Sequence, residues 1–182
     1  RIDTAVCNGE RMLLLAGIGF EQKMIEKAHR DAKNESGQLA YLQGFWQALG
    51  EHEAQDYVVT LDNNDEQTIN TTSLIIANAA PFTTLLAQSA GQPDHQDGLL
   101  DVNWLTPSAD SKASTLSIAE LVFSSITQTS FAINSHHTNA KRVTVSAEKG
   151  LSYVIDGEVK TADKLEVEIS PKSLSVIVSA ED

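Results

Sequence analysis

The feature that most constrains the fold is a series of short strand-like segments separated by turn-forming pairs. Asn8–Gly9 and Asp156–Gly157 are pairs typical of two-residue hairpins, because both positions accept the positive φ angles of a type I′ turn. Together they predict an antiparallel sheet. The first hairpin covers residues 1–16, with residues 12–16 as its second strand. Further strands are predicted at residues 57–61, 68–77, 99–105, 143–146, 151–155, 165–169 and 174–178.

Helical spacing of apolar residues appears mainly in one early block. It predicts helices over about residues 21–33 and 37–49. A third, short helix is predicted over residues 117–126, where Ser117 and Glu120 have the spacing of a capping box. The resulting fold class is mainly β (α+β), an antiparallel β-sandwich with helical insertions.

Length and charge narrow the possibilities further. At roughly 150 residues per domain, 182 residues predict a single domain over residues 1–182. The chain has 13 Lys and Arg against 25 Asp and Glu, a net charge of −12, which argues against a nucleic-acid-binding module and against a polybasic membrane anchor. The longest apolar stretches, residues 12–20 and 74–80, are too short to span a bilayer.

The cysteine content and the N-terminal segment bear on the cellular compartment of the protein. Cys7 is the only cysteine, so no intramolecular disulfide can form and a reducing compartment is the simpler expectation. The sequence opens at Arg1 with no basic segment followed by an apolar one, so no signal peptide is expected. We expect the chain to be a piece of a longer polypeptide.

Two acidic segments are candidates for chemistry. Asp94 and Asp97 share one loop before a predicted strand, and hard cations such as Mg²⁺ or Ca²⁺ prefer such oxygen ligands. The alternative is a solvated acidic turn. Asp156, Gly157 and Glu158 place two carboxylates around a hairpin turn, where a carboxylate facing a cleft can act as a general base. The alternative there is a plain β-turn.

Two other features favour structural interpretations. Gly17 and Gly19 lie between a predicted strand and helix, where backbone amides can hold an anion, but the segment lacks a complete phosphate-binding motif and favours a tight connection. His136 and His137 would point to opposite faces of an extended segment, and a surface loop is the favoured interpretation. The Ser/Thr-rich region contains no nucleophile elbow.

Taken in order, several segments resemble one family. They are "GIGF", "SGQLAYLQGFWQAL", "IIANAAPF", "DGLLDV", "VIDGEV" and "ISPKSLSVIV". Their order is similar to that in the second domain of the bacterial diacylglycerol kinases and sphingosine-kinase-like lipid kinases, and the match covers almost the whole chain. In that family the second domain is an antiparallel β-sandwich with helical insertions, which agrees with the fold class predicted above.

The resemblance also implies roles for particular residues. The acidic loop matches a structural Mg²⁺ site formed by the backbone carbonyl of Asp94, the carboxylate of Asp97 and the carbonyl of Leu99, with Ca²⁺ as a substitute. Glu158 would be the proton acceptor of the catalytic turn, and Asp156 and Gly157 would shape that turn. ATP with its Mg²⁺ would be held mainly by an N-terminal nucleotide-binding domain, which is absent from these 182 residues.

The implied reaction is transfer of the ATP γ-phosphoryl group to a lipid hydroxyl, on a diacylglycerol-like substrate, with the isolated chain inactive. The expected partners are a lipid alcohol, ATP and the membrane surface, and no nucleic acid is expected to bind. The expected location is the cytoplasm, with peripheral association with the membrane. Two alternatives remain: a non-enzymatic β-sandwich module that binds a lipid or another ligand, and a lipid-carrier or structural domain. A Gly-rich phosphate loop encoded ahead of Arg1 would discriminate between the kinase and these alternatives.

Overall fold

The computed structural model describes residues 1–19, 54–62, 64–79, 94–106 and 135–177. This part of the chain forms strands that pair in antiparallel fashion, and the three predicted helices lie outside it. No helix long and apolar enough to cross a membrane occurs in the described ranges. The strands are β1 (Ile2–Cys7), β2 (Glu10–Met12), β3 (Leu15–Ile18), β4 (Gln55–Leu61), β5 (Gln67–Thr71), β6 (Ser73–Ala77), β7 (Leu100–Leu105), β8 (Ser135–Ala140), β9 (Arg142–Ile155) and β10 (Glu158–Leu174).

The long β9–β10 hairpin organises the fold. Near its turn, residues 151–155 of β9 pair with residues 158–162 of β10, and β3 pairs along the outer side of β9. Beyond a large bulge, in which residues 147–150 oppose Asp163, β9 pairs with β4 instead. The hairpin therefore contributes to two groups of strands. The strand order is β2-β1-β10-β9-β3-β6-β7-β8. In addition, β4 pairs with the first part of β9, and β5 pairs with β4.

The core follows the two-residue period of the strands. On β10, Leu165, Val167 and Ile169 are buried, whereas Glu166 and Glu168 between them are exposed. The same alternation buries Val143 and Val145 of β9, and these side chains join one apolar cluster with residues from β1, β3, β4, β6 and β7. The prediction of a mainly antiparallel β-sandwich-like domain is confirmed.

The first hairpin forms as predicted, but its second strand is shorter than expected. Asn8 and Gly9 have φ angles of 47° and 85°, and they connect β1 to β2. The prediction of one strand over residues 12–16 is wrong, because the chain bends at Leu13 and Leu14 between β2 and β3. β2 continues the hairpin with β1, whereas β3 pairs with β6 and β9.

Two other strand predictions need correction. Residues 68–77 form two strands, because the chain turns at Thr72 so that β5 pairs with β4 while β6 pairs with β3 and β7. The strand predicted at residues 174–178 is also wrong over its described part, since β10 ends at Leu174 and residues 175–177 are not in a strand, while residue 178 lies outside the described residues. Leu174 pairs with Ile2, the first residue of β1, so the described residues beyond Leu174 have no partner strand on that side.

Candidate functional site

The acidic hairpin turn lies between β9 and β10 and has the predicted geometry. Asp156 and Gly157 have φ angles of 46° and 96°, and Ile155 pairs with Glu158 across the turn. A Cβ added at Gly157 would meet no atom within 4 Å. Glycine is therefore needed there for its backbone conformation and not for space. The tight turn fixes the backbone from which the Glu158 side chain projects.

The carboxylate of Asp156 is fully engaged in shaping the neighbouring bend. Its Oδ2 accepts a hydrogen bond from the Leu13 N–H at 2.7 Å, and its Oδ1 accepts from the N–H groups of Leu14 and Leu15 at 2.8 and 3.0 Å. The Asp156 N–H donates in return to the Leu15 carbonyl at 3.0 Å. Asp156 therefore acts on the site through the backbone, as a positioning residue for the turn and the bend.

The second carboxylate of this turn, that of Glu158, is not used in holding the bend. It is 78% exposed, and its Oε2 lies 3.7 Å from the Nζ of Lys160. Lys160 in turn donates to both carboxylate oxygens of Glu10, at 2.6 and 2.8 Å. A carboxylate that is open to solvent and carried by a rigid turn can approach a substrate hydroxyl and accept its proton.

Two exposed leucines lie at the bend that Asp156 holds against this turn. Leu13 and Leu14 are among the exposed large hydrophobic residues of the described chain, at 43% and 42% exposure. Their backbone N–H groups are bound to Asp156, so the two leucines are held at the bend next to the turn that carries Glu158. The arrangement combines a proton acceptor with an exposed apolar surface.

The acidic loop over residues 94–99 is closed by its own side chains. Asp94 Oδ1 accepts from the Gln96 N–H, and Asp97 Oδ1 accepts from the Leu99 N–H, each at 2.9 Å. The Asp97 N–H also approaches the Asp94 carbonyl oxygen at 3.4 Å. The three residues predicted as cation ligands thus belong to one compact turn.

Asp3 was not identified from the sequence, yet it fixes this loop to the sheet. Its buried carboxylate accepts from the Gly98 N–H at 2.8 Å and from the Lys172 N–H at 2.6 Å. Its own N–H donates to the His95 carbonyl at 2.8 Å. The only sign of this role in the sequence is an aspartate within a largely apolar strand. The partners of Asp3 are distant in the chain, so the sequence does not identify them.

Burial and neighbouring carboxylates both act on the Asp97 side chain of this loop. Burial raises the pKa of Asp97, the bond from the Leu99 N–H opposes that rise, and the nearby charges of Asp101, Asp94 and Asp3 increase it. A divalent cation would relieve the repulsion among these carboxylates. The predicted site needs one carboxylate and two carbonyls, and the described residues contain no cluster of three or more His, Cys, Asp or Glu side chains that could hold a metal.

Asn78 connects the bend with Asp3, the residue that holds the acidic loop, and it too was missed as a functional position. Its side-chain Nδ2 donates to the Leu13 carbonyl at 2.8 Å and to the Asp3 carbonyl at 3.2 Å. Its N–H donates to the Leu14 carbonyl at 2.9 Å. Asn78 is buried directly after β6, so it joins the two predicted sites through the interior.

The remaining sequence candidates have structural roles among the described residues. Gly19 has a φ of 95°, and an added Cβ would lie 2.3 Å from the Thr72 carbonyl oxygen, so this position requires glycine. The helix predicted to follow it lies outside the described residues. His136 and His137 do not form a loop but lie on β8, with their side chains in different contacts. His136 stacks on Trp104 at 5.2 Å, and His137 Nε2 lies 2.8 Å from Asp101 Oδ1. The pairing of β8 with β7 overrides the polar composition that favoured a loop.

Most of the chain is similar to a known protein family. Residues 16–178 match the model of the family described as the YegS C-terminal NAD kinase beta sandwich-like domain. A protein of Synechocystis sp. given as uncharacterized is 35% identical over 183 residues, which is all of this chain and 42% of the relative. The chain thus spans less than half the length of that relative.

Solved structures share the fold. A candidate diacylglycerol kinase from Bacillus anthracis str. Sterne superposes with a TM-score of 0.64 at 16% identity, over 93% of this chain and 54% of that one. Another structure, given as a diacylglycerol kinase from the same organism, has a TM-score of 0.55 at 14% identity, over 93% of this chain and 50% of that one. At these identities the similarity establishes the fold.

Proposed function

Since the chain belongs to the family of YegS C-terminal NAD kinase beta sandwich-like domains, we propose that it is the lipid-side domain of an ATP-dependent lipid kinase. The reaction is transfer of the γ-phosphoryl group of ATP to the hydroxyl of a diacylglycerol-like lipid. The observation that carries the proposal is the exposed carboxylate of Glu158 on a tight turn, next to the exposed Leu13 and Leu14.

Glu158 is the catalytic residue of this proposal. As the lipid hydroxyl attacks, an O–P bond forms to the γ-phosphorus, the bond from that phosphorus to the β–γ bridging oxygen breaks, and ADP leaves. The hydroxyl proton passes to the Glu158 carboxylate. Phosphoryl transfer receives little covalent assistance from proteins, so the contribution of this chain is a base in the correct place.

The residues around Glu158 hold its turn in place and bind the lipid substrate. Asp156 and Gly157 fix the turn, and the three hydrogen bonds from residues 13–15 to the Asp156 carboxylate fix the bend beside it. Leu13 and Leu14 offer an apolar surface to the hydrocarbon part of the substrate. A lipid substrate also requires contact with the membrane surface, so we propose a cytoplasmic protein that acts at the membrane periphery.

The acidic loop has a structural part in this proposal. The Asp94 carbonyl, the Asp97 carboxylate and the Leu99 carbonyl would hold Mg²⁺, and Ca²⁺ could replace it. When bound, the cation supplies positive charge that offsets the neighbouring carboxylates. Asp3 binds this loop, and Asn78 connects Asp3 to the bend at Leu13, so an ordered loop supports the bend next to the Glu158 turn.

ATP and its own Mg²⁺ require a further domain. The described residues contribute the base and an apolar surface, and the Synechocystis relative is more than twice the length of the match. We propose that a nucleotide-binding domain with a Gly-rich phosphate loop precedes this domain in the working enzyme, and that residues 1–182 alone are inactive.

The test is transfer of radiolabelled γ-phosphate from ATP to a panel of lipid alcohols, containing diacylglycerol, a monoacylglycerol, sphingosine and a soluble alcohol. The longer protein should label a lipid hydroxyl and leave the soluble alcohol unlabelled, and the 182-residue chain should label neither. A longer protein that binds the same lipids in vesicles but transfers no phosphate would contradict the kinase proposal and support a lipid-binding module.

A further inference from the structure

Lys160 lies between two carboxylates at the candidate site. Its Nζ contacts both oxygens of Glu10, at 2.6 and 2.8 Å, and lies 3.7 Å from Oε2 of Glu158. The side chain of Lys160 is 27% exposed, compared with 78% for Glu158. The cation is therefore more confined than the carboxylate beside it.

The backbone holds this group together from two sides. Glu158 and Lys160 are two residues apart on β10, so their side chains leave the same face of the strand. Glu10 follows the Asn8–Gly9 turn, and the Asn8 side chain donates to the Lys164 carbonyl at 2.9 Å and accepts from the Glu166 N–H at 2.8 Å. These bonds fasten the turn that carries Glu10 to β10.

The charge state of Lys160 suits a permanent electrostatic contact. The hydrogen bond to Glu10 raises the pKa of Lys160, desolvation by burial opposes that rise, and the charges of Glu10 and Glu158 add to it. Lys160 therefore remains a cation throughout the neutral pH range. Glu10 orients the Lys160 cation and leaves the Glu158 carboxylate free to contact a substrate.

We propose that Lys160, oriented by Glu10, is a positioning residue that holds the Glu158 carboxylate in the direction needed to accept the hydroxyl proton. This inference rests on the proposed function. An exposed glutamate side chain has several rotatable bonds and samples many directions in solvent, whereas proton transfer requires one of them. The contact at 3.7 Å restricts the carboxylate and leaves its exposed oxygen available to the substrate.

A purely structural role would have a different signature. Surface ion pairs contribute little to folding stability, so the loss of this contact should leave unfolding almost unchanged. Positioning acts on turnover instead, and it acts only while Glu158 is a base. A cycle of substitutions at Lys160 and Glu158 therefore separates the two roles.

The experiment uses the protein that includes the proposed nucleotide-binding domain, with lipid kinase turnover and thermal melts measured in parallel. The variants are K160M, K160R, E158Q and the double variant E158Q/K160M. The matched control is K164M, which removes the exposed ion pair of Lys164 with Glu166, at 2.6 Å, from the same strand. K160M should lower kcat by about 10-fold or more with KM within about two-fold, because misplacement of a reacting group acts on the chemical step.

The expected pattern also includes recovery of most of the activity in K160R, a wild-type rate in K164M and no loss in the double variant beyond that of E158Q. Wild-type turnover in K160M, with E158Q impaired, would overturn the role of Lys160 and leave the proposed function intact. An equal loss on adding K160M to E158Q would also overturn it, since Lys160 would then act independently of the base. Full activity in E158Q would remove both proposals.

Discussion

Asp156 Oδ1 accepts a hydrogen bond from the Leu14 N–H across 2.8 Å, although the two residues are 142 positions apart. The same carboxylate also accepts from the N–H groups on both sides of Leu14. A single turn residue therefore organises the bend between β2 and β3, which the sequence signals only as part of a strand.

Removal of that carboxylate should destabilise the bend. Asp156→Ala removes the acceptor of three N–H groups and should lower the free energy of unfolding by about 2 kcal/mol, because hydrogen bonds to charged acceptors contribute more than neutral ones. Asp156→Asn keeps one acceptor oxygen and should lose less. Urea unfolding measures both. Glu148→Ala, at an exposed position of β9, the strand before the turn, is the control, and an equal loss in the control would contradict the role of Asp156.

A comparison of Gly19 with Gly9 distinguishes the cost of a steric clash from the cost of backbone strain. Both have positive φ angles, of 95° and 85°, but a Cβ at Gly19 would lie 2.3 Å from the Thr72 carbonyl oxygen, whereas a Cβ at Gly9 meets nothing within 4 Å. Gly9→Ala should cost about 1 kcal/mol from backbone strain alone. Gly19→Ala should cost about 3 kcal/mol or more, because backbone atoms must also move. Chemical denaturation of both variants should show this difference, and equal losses would contradict the close approach at Thr72.

The extent to which the sequence predicts this fold depends on how local each determinant is. The turns at Asn8–Gly9 and Asp156–Gly157 were predictable, because each pair provides its own positive φ angles. The bend at Leu13 and the split at Thr72 were not, because the bend is held by Asp156 and the split follows from the pairing of β6 with β3 and β7, all of which are distant in the chain. The site follows the same division: the Glu158 turn and the acidic loop carry local signals, whereas Asp3 and Asn78 act through long-range contacts.

The acidic loop should respond to divalent cations through Asp97. The raised pKa of Asp97 means that the folded chain binds a proton more tightly than the unfolded one, so stability should fall as the pH rises from the ordinary Asp value through the raised one. Without cations at pH 7, Asp97→Asn should therefore be at least as stable as wild type, since the amide oxygen still accepts from Leu99. Millimolar Mg²⁺ or Ca²⁺ should raise the Tm of wild type only. An equal cation response in both proteins would mean that the loop is a solvated turn.

Cys7 should be unreactive in the folded protein. Burial raises the pKa of its thiol to about 11, and the charges of Glu10 and Asp156 add to that rise while Lys160 opposes it. Since only the thiolate reacts, a disulfide reagent at pH 8 should modify Cys7 at least about 100-fold more slowly in buffer than in denaturant. Rapid modification of the folded chain would show that β1 opens readily at this position.

Substitution of Glu158 tests the central claim most directly. Glu158→Gln keeps the size of the side chain and removes its basicity, and at an exposed position it should leave the thermal melt unchanged. In the protein that includes the nucleotide-binding domain, transfer of radiolabelled phosphate to the lipid hydroxyl should fall by about 10² to 10⁴, the usual contribution of a general base. Glu148→Gln, at an exposed position of the preceding strand, should retain the wild-type rate. Phosphate transfer by a well-folded Glu158→Gln variant within a few-fold of wild type would contradict the account and leave the hairpin turn with a structural role alone.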